Sequence, residues 1–141
     1  MLQSSLQEIA ISMIVEWVRL RNAHGQLYSW GDRKASNVDS NWSKANVVYR
    51  WRKNSTGETA IVGETDRPLG DRVNNYTSAK PGGSAGPTNR RVYDEEQRLE
   101  SKDNFLFLEF TENVPGYDLK NDRQRRFVES LLIGVSRPYL Q

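Results

Sequence analysis

Cysteine is absent from this chain of 141 residues, and histidine occurs once, as His24. The absence of cysteine excludes disulfide bonds and thiolate-based zinc sites, and a single histidine excludes a histidine-rich metal cage. Any bound metal is therefore expected to be a hard cation held by oxygen ligands, which points to Mg2+ or Mn2+.

Long apolar runs are also missing. No uninterrupted apolar stretch approaches the roughly 18 residues that a membrane span requires, and the N-terminus lacks the basic region and the small-residue cleavage site of a secretory signal. We therefore expect no membrane partner and a cytoplasmic location.

The composition that is present predicts a folded protein. Hydrophobic residues make up 36% of the chain and charged residues 27%, with four Trp, six Tyr and four Phe, which is too aromatic for a disordered protein. A chain of this length can bury one core without covalent crosslinks. The net charge of +2 is small, but the arginines are unevenly spread, which leaves room for a basic face.

Residues 1–45 are predicted to be an N-terminal extension made of a helix and an arm. Apolar residues recur every three or four positions from Leu2 to about Arg21, which predicts an amphipathic helix that covers the core or a dimer seam. His24 to Ala45 is polar and aromatic, which predicts an irregular arm with a short strand around Leu27 to Trp30. The aromatic residues of this arm (Tyr28, Trp30, Trp42) either pack it onto the domain or stack on the bases of a ligand.

Two strands and a helix are predicted next. Val47 to Lys53 alternates an apolar side with a side bearing Arg50 and Arg52, and Asn54 to Glu58 contains the glycine of a hairpin turn. Thr59 to Gly63 is the second strand, which stops where the backbone must turn or approach another group closely. Thr65 or Asp66 is then expected to cap a helix that has Pro68 in its first turn.

The remainder alternates loops, helices and one strand. Lys80 to Thr88 is rich in Pro and Gly and predicts a loop, followed by a helix over Asn89 to Ser101. Asn104 to Thr111 is almost entirely apolar, as expected of a central strand buried on both faces. A last helix runs from about Asp122 to Val135, and the tail from Arg137 to Gln141 is non-helical because it contains Pro138. The sequence predicts an α+β fold: a small antiparallel or mixed three-stranded sheet flanked by helices, with an N-terminal helical extension.

Residues 46–141 resemble the GIY-YIG nuclease superfamily. The first motif of that family, Gly-Ile/Val-Tyr, corresponds to Val47-Val48-Tyr49, and the second, Tyr-Ile/Val-Gly, corresponds to Ile61-Val62-Gly63. Arg72 follows Gly63 by nine residues, and Tyr76 lies four residues later, where the family often has His or Tyr. Near the end, VESLLIGVSRPYLQ resembles the family's Glu-containing helix, which is followed by a Pro and a polar amide.

The resemblance implies a metal-dependent DNA endonuclease, a hydrolase of the restriction type or of a phage or mobile element. It implies five site residues: Tyr49 as general base, Arg72 on the phosphate, Tyr76 on the water or the phosphate, Glu129 as the Mg2+ (or Mn2+) ligand, and Gln141 as an orienting amide near Glu129. Arg72 has the alternative of a salt bridge to Asp71 or Asp66. Glu64 is a second metal ligand or, preferably, a partner in helix capping.

Basic residues are expected to line a groove for the DNA backbone, whose phosphates attract Lys and Arg. The candidates are Arg50, Arg52, Lys53, Lys80, Arg90, Arg91 and Arg126, with Arg123 and Arg125 beside them.

Two other interpretations remain open. Ile61 and Val47 depart from the family motifs, which favours a nucleic-acid-binding protein that keeps the fold but is weakened in catalysis. The second interpretation is a repair-type nicking nuclease. Double-strand cutting with one active site per chain would favour a homodimer.

Overall fold

The computed structural model describes residues 12–22, 24–28, 40–99, 101 and 103–141. These residues form an α+β structure with a four-stranded antiparallel sheet and three helices. The strands are β1 (Val18–Arg19), β2 (Val47–Lys53), β3 (Thr59–Thr65) and β4 (Leu106–Thr111), in the spatial order β1-β4-β2-β3. The helices are α1 (Leu69–Thr77), α2 (Pro87–Leu99) and α3 (Asp122–Ser136), and a short 3-10 helix covers Ser40–Ser43.

The hairpin of β2 and β3 agrees with the sequence prediction. Its strands pair with Tyr49 opposite Gly63, and Gly57 takes a positive φ of 77° in the turn, which a glycine adopts without strain. β3 continues to Thr65, two residues beyond the predicted end at Gly63. The edge of the sheet formed by β3 is therefore longer than the sequence suggested.

β4 is the predicted central strand. It begins at Leu106, pairs with β2 on one side and with β1 on the other, and all of its residues are buried. Its single carboxylate, Glu109, is 3% exposed and accepts hydrogen bonds from Arg50 (2.9 Å) and Arg52 (3.0 Å). These contacts satisfy a charge that would otherwise be costly to bury.

The sheet lies between two layers of helices. On one face Tyr49 and Trp51 pack with α1 and α2, and on the other face Val48 and Val62 pack with Val128 of α3. This division follows from the alternation of side chains along β2, which sends successive residues to opposite faces. β3 is the outer strand of the sheet.

The predicted N-terminal helix is wrong for residues 12–21, and residues 1–11 lie outside the described part of the chain. Val18 and Arg19 form β1, paired with Phe110 and Glu109 of β4, so the sheet has four strands rather than three. The reason is a period of two that the helical pattern concealed: Met13, Val15 and Trp17 pack against the core while the residues between them are exposed.

The described parts of the arm pack onto the domain. Tyr28 is 1% exposed, and its ring centroid lies 5.5 Å from that of Trp42, which contacts the backbone of Gly70 closely enough that a Cβ there would collide with the indole. Leu27 makes an isolated bridge to Arg21. Trp30 and the rest of residues 29–39 lie outside the described residues.

The helix ends differ from the prediction at two places. Pro68 precedes α1, and the Thr65 hydroxyl accepts from the backbone N–H of Arg67 (3.0 Å) instead of capping the helix, so the capping prediction for Thr65 or Asp66 is wrong. α2 begins at Pro87 and ends at Leu99, rather than running from Asn89 to Ser101. Proline suits a first helical position because its missing N–H has no intrahelical partner there.

α3 matches its prediction closely. The Asn121 side chain caps it by accepting from the N–H of Gln124 at 3.1 Å. Of the helices in the described residues, none has the length and apolar character needed to cross a membrane.

Candidate active site

A pocket of about 430 Å³ lies beside β3, the outer strand of the sheet. Its walls come from β2, β3, the turn into α1, α1 itself, the start of α2, α3 and the C-terminal tail. The five residues that the sequence predicted as catalytic all line it: Tyr49, Arg72, Tyr76, Glu129 and Gln141. Segments that are far apart in the sequence thus contribute to one concave surface.

Gly63 explains how Tyr49 enters this pocket. The two residues are directly paired across β2 and β3, and a Cβ built on Gly63 would collide with the Tyr49 ring. The ring therefore lies against glycine backbone. Gly63 is needed here for close approach, since no other residue leaves that space open.

Tyr49, Tyr76 and Arg72 form a hydrogen-bonded cluster. The two phenol oxygens lie 2.8 Å apart, and Arg72 donates from Nε (3.2 Å) and Nη2 (3.1 Å) to the Tyr49 oxygen. Arg72 Nη2 also lies 3.4 Å from the Tyr76 oxygen, and its guanidinium carbon is 5.2 Å from the Tyr76 ring centroid. The alternative salt bridge to Asp71 or Asp66 does not form, so the guanidinium is held by neutral partners.

Both phenols are neutral at ordinary pH. Burial, followed by the proximity of Tyr76, raises the pKa of Tyr49 well above 10, although Arg72 acts in the opposite direction. Burial likewise raises the pKa of Tyr76. Arg72 is therefore the only charged member of this cluster.

Glu129 brings a carboxylate into the pocket from α3. It is half-buried, and burial followed by the charge of Glu64 raises its pKa from 4.5 to about 6, while Arg126, Arg72 and Arg125 lower it. A carboxylate with this pKa is ionised at neutral pH, but nearby positive groups balance its negative charge only in part. It would gain from a cation bound beside it.

Glu64 also lines the pocket, but its prediction as a capping partner for α1 is wrong. Its carboxylate turns to α3, where Oε2 accepts from Arg125 Nε at 2.5 Å. Arg125 is 1% exposed and also donates to Asp122 Oδ1 (2.7 Å) and to the carbonyl of Leu119 (3.0 Å). Arg125 is consequently a structural ion-pair partner, with no free face for DNA.

Gln141 binds the edge of β3. Its amide accepts from the N–H of Val62 (2.9 Å) and donates to the carbonyl of Val62 (3.1 Å). The preceding residues continue the pairing, with Leu140 N–H donating to the Ala60 carbonyl at 2.8 Å. The tail therefore covers the outer strand, and Gln141 ends that contact at the pocket, which Glu129 also lines.

The predicted basic residues are spread over the molecule. Arg50 and Arg52 lie on the face of β2 opposite Tyr49, bound to Glu109, and Arg50 stacks on Trp17 at 4.0 Å. Arg90 pairs with Asp94 at 3.1 Å on an exposed face of α2.

The other predicted basic residues are Arg91, Arg126, Lys53 and Lys80, and each has different neighbours. Arg91 Nε donates to the carbonyl of Leu140 (2.9 Å), Arg126 lies 3.8 Å from Glu64, and Lys53 lies 5.5 Å from the ring centroid of Tyr139. Lys80 is exposed in the loop between α1 and α2. Arg91 and Arg126 are thus placed nearest to the pocket walls.

Sequence reasoning missed several pocket residues. Asp66, Arg67, Thr88 and Asn89 line the pocket together with the predicted ones. They stand in the turn between β3 and α1 and at the first turn of α2, and no spacing in the sequence connects these two places. A carboxylate-rich metal cage is not among the features: the described residues contain no group of three or more His, Asp or Glu side chains placed to hold a metal.

Comparisons of this chain with protein-family models, with curated proteins and with solved structures give no match.

Proposed function

We propose that this protein is a metal-dependent DNA endonuclease, related in fold and site to the GIY-YIG nucleases. The observation that carries the proposal is the convergence of Tyr49, Arg72, Tyr76, Glu129 and Gln141 on one pocket. These are the residues that the resemblance implies, and the arginine, the tyrosine pair and the glutamate each suit one requirement of phosphodiester hydrolysis. Cutting of both strands by one site per chain would further imply a homodimer.

The first requirement is a positive group for the phosphate. Arg72 is half-buried, its guanidinium is fixed by the Tyr49 oxygen, and it has no carboxylate partner among the described residues. A planar, permanently charged fork that faces a pocket suits non-bridging phosphate oxygens, because it stabilises the charge that develops on them.

The second requirement is a group that takes a proton from water. A tyrosine serves as base either when its pKa is depressed or when it passes its own proton on as it accepts another. Burial raises the pKa of Tyr49, which favours the second route. Tyr76, whose oxygen lies 2.8 Å away, would take the Tyr49 proton while its own proton passes to the leaving oxygen of the phosphodiester, and Arg72 would stabilise negative charge on Tyr49 during this transfer.

The third requirement is a divalent cation. Mg2+ in phosphoryl-transfer sites is commonly held by only one or two carboxylates, with water and substrate phosphate completing its coordination. Glu129 fits this role because its carboxylate is half-buried, lines the pocket and lies near a second acid, Glu64. When bound, Mg2+ or Mn2+ supplies Lewis-acid stabilisation of the phosphate and of the leaving oxygen.

The second candidate function is DNA binding without efficient cleavage. It is favoured by Ile61, which occupies the place of the second-motif tyrosine and is fully buried in the core. Ile61 therefore brings no hydroxyl to the pocket, and Tyr49 has Tyr76 as its only hydroxyl partner among the described residues.

A plasmid-cleavage assay in Mg2+ or Mn2+ distinguishes the two candidates. We expect the wild type to convert supercoiled DNA to cut product, Arg72→Ala to slow cleavage by about 10²- to 10³-fold, and Glu129→Ala to abolish it. Glu16→Ala and Lys120→Ala remove exposed charges outside the pocket and should leave the rate unchanged. Failure of the wild type to cut with any divalent metal would overturn the enzyme proposal, and nicked product alone would identify a nicking nuclease.

A further inference from the structure

Arg67 lines the pocket, and its guanidinium group lies beside Asn75, which also contacts Arg72. It stands in the turn between β3 and α1, where its backbone N–H donates to the Thr65 hydroxyl at 3.0 Å, so its position is fixed although its side chain is exposed. Both arginines line the pocket.

Asn75 joins the two guanidinium groups. With its side-chain oxygen turned towards them, it accepts from Arg67 Nη2 at 3.2 Å and from Arg72 Nη1 at 3.3 Å. Asn75 is half-buried on α1, one turn after Arg72. One neutral oxygen thus holds two positive groups close together.

The charge balance of this arrangement differs from that of the arginines that form ion pairs. Arg50, Arg98 and Arg125 each contact a carboxylate. Within the part of the chain that the structure describes, neither Arg67 nor Arg72 has a carboxylate within salt-bridge distance. Two like charges held side by side by an amide repel each other, and an anion placed between them removes that cost.

We propose that Arg67, Asn75 and Arg72 form an arginine clamp that binds a backbone phosphate of the nucleic acid. Arg67 contributes affinity and position, and Asn75 sets the spacing of the two guanidinium groups. The identity of the anion as a nucleic-acid phosphate rests on the proposed nuclease function, whereas the clamp itself rests on these contacts.

Equilibrium binding of a fluorescently labelled DNA duplex tests the clamp. In EDTA, where no cleavage interferes, each phosphate contact contributes about one unit to the slope of log K against log salt. We expect Arg67→Ala to weaken binding about tenfold and to reduce that slope by about one. Asn75→Ala keeps both charges, so it should weaken binding several-fold with the slope unchanged.

Lys120→Ala is the matched control for loss of one exposed positive charge, because Lys120 lies at a different depression on the surface. Circular dichroism and melting midpoints confirm that each variant is folded. If Arg67→Ala binds with the affinity and slope of Lys120→Ala, the clamp is overturned.

Pyrophosphate separates failure of the clamp from failure of the nuclease proposal. If the wild type binds no DNA, the nuclease proposal fails, and the clamp is then tested by the rise in melting midpoint that pyrophosphate causes. A rise in the wild type that is lost in Arg67→Ala supports an anion clamp of another function. No rise in the wild type, or an equal rise in both proteins, overturns it.

Discussion

The phenol oxygen of Tyr49 lies 2.8 Å from that of Tyr76, at the point where β2 meets α1. Two N–H groups of Arg72 also point at the Tyr49 oxygen. Arginine is a donor only, so the Tyr49 oxygen accepts from Arg72 and its own proton is directed to Tyr76, and an Arg72 bond must give way to the attacking water before Tyr49 can act as a base. The Tyr76 proton is then left to point into the pocket, where a water or a phosphate oxygen can accept it.

Tyr49→Phe removes this arrangement while keeping the ring against Gly63. We expect DNA cleavage to slow by about 10²- to 10⁴-fold, the range typical of losing a general base. The free energy of unfolding should change by only about 1 kcal/mol, because Arg72 and Tyr76 can bind water instead. Single-turnover cleavage and urea unfolding measure the two effects.

Tyr117→Phe is the matched control for the loss of one hydroxyl. Tyr117 is half-buried and packs on Phe127 with ring centroids 5.8 Å apart, away from the pocket. The Tyr117→Phe protein should cleave DNA at the wild-type rate. A Tyr49→Phe protein that cleaves as fast as Tyr117→Phe would remove Tyr49 from the mechanism.

Gly63→Ala tests the close contact beneath Tyr49. The added methyl would collide with the Tyr49 ring, and relief requires movement of β2 or of the ring, which costs about 1 to 3 kcal/mol. Displacement of the Tyr49 hydroxyl should also lower the cleavage rate. Thermal or urea unfolding gives the first effect and the plasmid assay gives the second.

Gly86→Ala is the corresponding control, since no heavy atom lies within 4 Å of a Cβ built at Gly86. Its free energy of unfolding should stay within about 0.5 kcal/mol of the wild type. Equal effects of the two substitutions would show that Gly63 tolerates a side chain.

Strands and helices whose pattern is local and unambiguous could be predicted from the sequence. β2 alternates strictly, β4 is a short apolar run, and α3 has an Asn121 cap, so each fixes its own conformation. The conformation of the segment before β1 could not be predicted, because its apolar residues fit both a helical period and a period of two. In the folded protein the edge of β4 provides backbone hydrogen-bond partners for Val18 and Arg19, so these residues form a strand.

The candidate site was predicted where a motif spacing connected residues of known type, as for Tyr49, Arg72 and Tyr76. Asn75 and Arg67 were not found, because an exposed arginine before a proline and an amide on a helix are common and carry no pattern. Arg125 was misread for a related reason. A sequence shows the charge of an arginine but not the carboxylate, here Glu64, that folding brings to it.

Arg125→Ala should be among the most destabilising single changes at the pocket wall. It would leave Glu64, whose side chain is 19% exposed, without its main partner, and loss of one member of a buried pair costs about 3 kcal/mol or more. Urea unfolding measures the loss. Adding Glu64→Gln should recover part of it, because the unpaired charge is then removed.

Arg123→Ala provides the comparison on the same helix, because Arg123 is exposed. A change within about 0.5 kcal/mol is expected. If Arg125→Ala were as mild as Arg123→Ala, the ion pair with Glu64 would be of little importance to folding.

Glu129→Gln should alter how stability depends on pH. The pKa of Glu129 rises from 4.5 in the unfolded chain to about 6 in the folded protein, through burial and then the charge of Glu64. The folded state thus binds the proton more tightly, so the group stabilises the protein below pH 4.5, and that contribution is lost as the pH rises through 6. Glutamine has no such ionisation. Relative to Glu129→Gln, the wild type should therefore lose about 1 kcal/mol between pH 4.5 and 7, a value reduced by solvent screening of the half-exposed carboxylate.

Urea unfolding of both proteins in EDTA at a series of pH values measures this difference. Glu16→Gln, which removes an exposed carboxylate outside the pocket, is the matched control. Mg2+ should then raise the stability of the wild type at pH 7 but not that of Glu129→Gln, because a cation that binds only the folded state stabilises it by mass action. A wild type that follows Glu129→Gln across the whole range, with or without Mg2+, would mean that the Glu129 carboxylate is solvated like a surface acid and is not the metal ligand.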